Sequence, residues 1–308
     1  MRGFLQIILF VVAGLSVGTA SAEAMKQYKI MDNHGFGQPI AAYTVNVPQS
    51  WAVEGQIVWN KPCSGKDHYE LVFTARSADG RTGYRIMPGH QILWIDSVVS
   101  GFDPQLAQMI LAQDEASRND LRTQFRNSNC HVGKVSGTQQ LLQELVLTDR
   151  PAGTIVDSSM PDQALMTSFK STFPTSEPGM KIFYDAVIVE LRYPLAGQPV
   201  EESLFLSWYM FQLEPLDPTM GTLHQQTVVD SLRFAWIAPE RRESDRADLQ
   251  AIVGSFKINP EWDAKIQEFR RKIASQNQVS AAERERRRLE DEARRDVQHQ
   301  QFLDYIQQ

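Results

Sequence analysis

From Leu204 to Leu213 the chain is apolar on both faces of an extended strand. Leu204, Leu206, Trp208 and Met210 point one way, and Phe205, Tyr209, Phe211 and Leu213 point the other. Side chains alternate sides along a strand, so a strand of this composition needs cover on both sides, and helices packed on a sheet supply it. The segment before it, Lys181 to Tyr193, is rich in β-branched and aromatic residues and reads as a partner strand. Ala196-Gly197-Gln198-Pro199 is the expected turn between the two. These residues call for an α+β domain, a mainly antiparallel sheet flanked by helices.

The first third adds strands. Tyr43, Val45 and Val47 share a face over 40–47 before Pro48, and 56–59 is a second short strand. Tyr69 to Arg76 alternates, Asp79-Gly80 is a turn signal, and Tyr84 to Met87 follows, which predicts a hairpin over 69–87. Gln91 to Ile95 extends the strand set. The middle reads as helices. One begins at Asp103-Pro104, a second polar one covers 115–127, a third is capped by Thr138 with Leu141, Leu142 and Leu145 inward, and Pro161 opens another. Val228 to Trp236 reads as a passage from helix to strand. Ser244 is the expected cap of a helix over 245–255, with Leu249, Ile252, Val253 and Phe256 inward.

The ends carry different information. Met1-Arg2-Gly3, an apolar run from Phe4 to Val17, and small residues at Ala20 and Ala22 form a secretory signal pattern cleaved after Ala22. Residues 1–22 are the expected signal peptide, 23–259 the α+β domain and 260–308 a charged helical tail. Localisation is therefore expected to be periplasmic or secreted, without stable membrane insertion after cleavage. The whole chain carries a net charge of −6, which lacks the basic footprint of a nucleic-acid binder. From Glu261 to Gln308 ten Lys/Arg meet ten Asp/Glu, with no apolar heptad repeat through Glu283 to Arg288. The tail reads as a solvated helix carrying Glu–Arg pairs such as Glu283–Arg287. It is the candidate contact surface, and the missing heptads argue for a monomer.

Two cysteines, Cys63 and Cys130, are present. In an oxidising compartment they are read as a disulfide, with free thiols or a metal site near His68 and His131 as the alternatives. Their spacing fits no common zinc pattern. No catalytic, cofactor-binding or metal-ligating residue is assigned. The motifs of lipases, zinc proteases, P-loop enzymes and dinucleotide binders are missing. Gly35-Phe36-Gly37 stands before a strand, and the six histidines are scattered with no two at i, i+4. The six tryptophans read mainly as core, with Trp51 placed over a sheet edge.

Tyr43-Thr44-Val45-Asn46-Val47-Pro48-Gln49-Ser50-Trp51 has the form Y-x-V-x-V-P-x-x-W, and Leu249 to Phe256 closes the domain with Ser255-Phe256. An opening strand ending in Pro-x-x-Trp and a closing helix ending in Ser-Phe resemble the Mog1/PsbP-like family across roughly residues 37–257. The resemblance implies an antiparallel sheet flanked by helices and a non-enzymatic role in binding proteins or supporting assembly. It assigns no site residues. The function expected is that of an exported interaction or assembly accessory protein with an unknown envelope partner and no cofactor. A periplasmic hydrolase with a site assembled in space, or a carrier using an aromatic-lined pocket, is the alternative.

Overall fold

A computed structural model describes residues 24–59, 69–126, 128, 130–173, 179–215, 217, 219–273 and 275. The expected signal segment, Cys63, His68 and most of the charged tail lie outside them. The chain divides into two units between Lys257 and Ile258.

The first unit is built on one large, mostly antiparallel sheet. Its strands are β1 (Met25–Asp32), β2 (Ile40–Pro48), β3 (Ala52–Trp59), β4 (Tyr69–Arg76), β5 (Gly83–Met87), β6 (His90–Val98), β7 (Cys130–Val132), β8 (Ile155–Pro161), β9 (Met180–Leu195), β10 (Gln198–Leu213) and β11 (Gly221–Ile237). The spatial order is β2-β1-β3-β4-β5-β11-β10-β9-β8. β11 is long enough to take two partners end to end. Leu232 to Trp236 pair with β5, and Gly221 to Val229 pair with β6. β1 with β3 and β6 with β7 are parallel pairs. The helices are α1 (Pro104–Gln124), α2 (Thr138–Leu145), α3 (Gln163–Thr172) and α4 (Arg242–Gly254).

β10 receives cover on both faces, as its composition demands. Leu204, Leu206, Trp208 and Met210 join Val189, Leu191, Val229 and Leu232 in a buried cluster with Leu141 and Val146, so α2 closes that side. On the other side Tyr209 and Phe211 pack with Tyr184 and with Phe169 and Phe173 at α3. Burying one such aromatic side chain stabilises the fold by roughly 1.5–3 kcal/mol. Farther along the sheet Phe256, just after α4, meets Phe73 edge-on at 5.0 Å. The β9–β10 turn is shorter than the four residues expected: Ala196 at φ 51° and Gly197 at φ 79° make it, and Gln198 and Pro199 already pair with β9.

Several expectations are corrected. Residues 104–124 form one helix rather than two, because no Gly or Pro interrupts them. Glu115 holds Arg118 and Arg122 across the polar stretch where a break was expected. Pro161 ends a strand, and Asp162 caps α3 instead. Thr138 and Ser244 do not cap their helices. The Thr138 hydroxyl donates to Asp185 and accepts from Trp208 Nε1. Residues 228–236 are strand throughout.

In the second unit, residues 260–273 are helical, with Pro260 in the first turn. Asn259 Oδ1 accepts from the Glu261 amide at 3.1 Å, and Glu268 pairs with Lys272. The long charged helix expected to 308, including Glu283–Arg287, otherwise lies outside the described residues. No described helix is long and apolar enough to cross a membrane.

Candidate interaction surface

β8 is the terminal strand of the sheet, and all seven of its residues are exposed. Ile155 is 54%, Met160 50% and Val156 46% exposed. One edge pairs with β9, from Ile155 opposite Arg192 to Pro161 opposite Val187. Among the described residues nothing pairs with the other. An open edge presents backbone donors and acceptors to any extended segment that approaches.

The strand is fixed at both ends. Before it, the Arg150 guanidinium donates to Glu202 Oε1 through Nε at 3.1 Å and Nη2 at 2.8 Å. Tyr193 donates its hydroxyl to Glu202 Oε2 at 2.6 Å, and Arg150 also lies over the Phe234 ring. Glu202 is 2% exposed, so this is a buried ion pair with both carboxylate oxygens satisfied. Burial, helped by the adjacent carboxylate, pushes the Tyr193 hydroxyl well above its ordinary pKa, and it remains a donor. A turn follows in which Thr154 N–H donates to the Pro151 carbonyl. After the strand, the Asp162 amide donates to the Ala186 carbonyl and its carboxylate accepts from the Leu165 amide.

Two features limit how a partner strand can align. The register shifts between Val156 and Ser158, leaving Asp157 as a bulge. Pro161 has no amide hydrogen to offer. Asp157 is engaged by Arg192, whose guanidinium holds its carboxyl below the usual range. Glu190, opposite Ser158, is pushed up chiefly by burial, against a hydrogen bond from Ser203. The edge therefore offers apolar side chains near both ends and a polar centre.

The residues singled out from the sequence are dispersed. Cys130 is buried on β7, while Cys63 lies outside the described residues. Trp51, Trp208, Trp236 and Trp262 are buried. Gly35-Phe36-Gly37 is a structural turn. A side chain at Gly35 would meet the Trp59 ring at 2.3 Å, and Asp32 Oδ1 accepts from the His34 and Gly35 amides and from Trp59 Nε1. His90 and His131 are brought into contact, with Nδ1 of the first 3.0 Å from Nε2 of the second. Their sequence separation gave no signal, because the contact arises from the parallel pairing of β6 with β7.

No known family model matches this sequence, and no curated protein matches it. The cyanobacterial PsbP of Synechocystis sp. PCC 6803 aligns over 79% of this chain and 98% of its own, at 10% identity and a TM-score of 0.21. LpqN of Mycobacterium tuberculosis, described as involved in cell envelope biogenesis, aligns over 77% of this chain and 92% of its own, at 12% identity and a TM-score of 0.22. The first carries the name of the family that the two ends of the sequence resemble. Superpositions this loose carry no argument about function, which rests on the chain's own geometry.

Proposed function

We propose that this chain is an exported, non-catalytic interaction or assembly accessory protein of the cell envelope, and that it engages its partner through the open edge of β8. The observation that carries this reading is a fully exposed seven-residue strand, anchored at both ends and unpaired on its outer edge among the described residues. Strand addition draws affinity from main-chain hydrogen bonds and specificity from alternate side chains. A pre-ordered edge adds no ordering cost of its own on binding. The signal-like first 22 residues support the exported location. The charged tail is the second candidate surface, on the strength of its dense charge alone.

A crosslinked pull-down from the cell envelope tests the reading, using the full chain, Ser158→Pro, Val156→Lys and a chain ending at residue 259. The expected result is one partner captured by the full chain and by the shortened chain, and lost with either edge substitution. Capture that survives both edge substitutions but fails without the tail moves the contact to residues 260–308. Absence of any partner removes the accessory reading in favour of the hydrolase or the carrier.

A further inference from the structure

We propose that His90 and His131 together bind a divalent transition-metal ion, Cu²⁺ or Zn²⁺. The two residues are 41 positions apart, and their rings come together with centroids 5.1 Å apart and planes tilted by 39°. The cause is the backbone. β7 runs parallel to β6 with Cys130 opposite Gln91, which puts His131 beside the start of β6 where His90 stands. His90 Nδ1 and His131 Nε2 face each other at 3.0 Å. With metal–nitrogen bonds of about 2.0–2.1 Å, two ligands on a tetrahedral ion stand roughly 3.4 Å apart. The pair needs to open by a few tenths of an ångström, and each ring must turn so that its lone pair meets the ion beside the N···N line. Without metal one proton shared between the rings holds them together, and the ion takes that proton's place.

Imidazole is the ligand type suited to copper, zinc and nickel, and copper(II) binds most tightly in that series. His131 lines a solvent-open cleft with Glu144 and Ser128, so water can complete the coordination. Glu144 is within electrostatic reach of His131 and favours a cation. Arg122 in the same wall is already tied to Glu115 and Asn119, while Arg126 is the opposing charge. Among the described residues no third His, Cys, Asp or Glu completes the set, so the two imidazoles are the ligands proposed.

Titration of the full chain with Cu²⁺, followed by electron paramagnetic resonance and calorimetry, tests this. The expected result is one saturable Cu²⁺ with coupling to two nitrogens, and a Zn²⁺ that binds the same site more weakly and is displaced by Cu²⁺. It should weaken at least tenfold in His90→Ala and in His131→Ala, with unchanged far-ultraviolet circular dichroism. His131→Gln, which keeps a hydrogen-bonding side chain, must lose the ion as well and guards against a misfolded variant. Affinity unchanged in either histidine variant overturns the site, as does a spectrum without two-nitrogen coupling. Neither result depends on whether a partner is captured through β8.

Discussion

At the scale of single residues, the Glu202 carboxylate is buried, and both its oxygens are satisfied by Arg150 and Tyr193. Such a pair gains little over a well-packed apolar substitute, but breaking it strands a charge away from water. Glu202→Ala is therefore expected to lose about 3–5 kcal/mol, because Arg150 would be left against Phe234 without a counter-charge. Tyr193→Phe removes a single donor and should lose about 1–3 kcal/mol. Urea unfolding followed by tryptophan fluorescence checks the order. A Glu202→Ala midpoint equal to that of the unsubstituted chain would show that the ion pair does not anchor the segment leading into β8. This pair was not legible in the sequence, since 52 residues separate Arg150 from Glu202 and neither stands in a motif.

At the scale of elements, the turn between β4 and β5 is clipped to the start of α4 by Asp79. Its carboxylate accepts from the Ser77 hydroxyl at 2.6 Å, from the Arg81 amide at 3.1 Å and from Arg241 Nη1 at 2.8 Å. Arg241 also pairs with Asp245 in α4. The Ser77 hydroxyl, with smaller contributions from the Arg81 amide and Arg241, lowers the Asp79 pKa from its ordinary 3.8. An acid whose folded pKa is depressed contributes stability above its unfolded pKa and loses it as pH falls through the folded one. Asp79→Asn should accordingly be less stable than the parent at pH 7, and the gap should close below about pH 4. Thermal melts across that range read this directly, and a gap that stays constant with pH would rule out the carboxylate charge as its source. Asp79-Gly80 was legible in the sequence because a turn of this type is encoded locally. β11 was not, and its bulge explains why. Asp230 is an extra residue opposite the step from Ser207 to Trp208, so Leu232, Phe234 and Trp236 share a face with Val229 rather than with Val228. A phase break of one residue hides an alternating pattern from any periodic reading. β8 was missed for a different reason. Asp157, Ser158, Ser159 and Pro161 have turn composition, and only pairing with β9 makes the segment a strand.

At the scale of the whole molecule, β7 is a three-residue strand that, among the described residues, pairs with β6 alone, yet it carries both Cys130 and His131. A Cys63–Cys130 bridge would tie the connection between β3 and β4 covalently to β7, closing a loop of about 67 residues. In the chain-entropy description that closure contributes roughly 4 kcal/mol, less any native strain. The bridge requires an oxidising compartment, so it depends on the export signal being used. One preparation of the exported protein tests both steps. Its mass is expected to begin at Glu23, and non-reducing peptide mapping is expected to join Cys63 to Cys130. Two alkylatable thiols in the native protein would sink the bridge, and an intact Met1 would sink the cleavage. If the bridge forms, reduction should lower the melting temperature. It should also loosen the contact between His90 and His131, because His131 follows the bridged residue directly on a strand too short to hold its register alone. Weaker copper binding in Cys63→Ser/Cys130→Ser, which leaves no thiol to reduce or ligate the ion, would then link the bridge to the histidine pair, whereas unchanged binding would show that the pairing of β6 with β7 suffices without it.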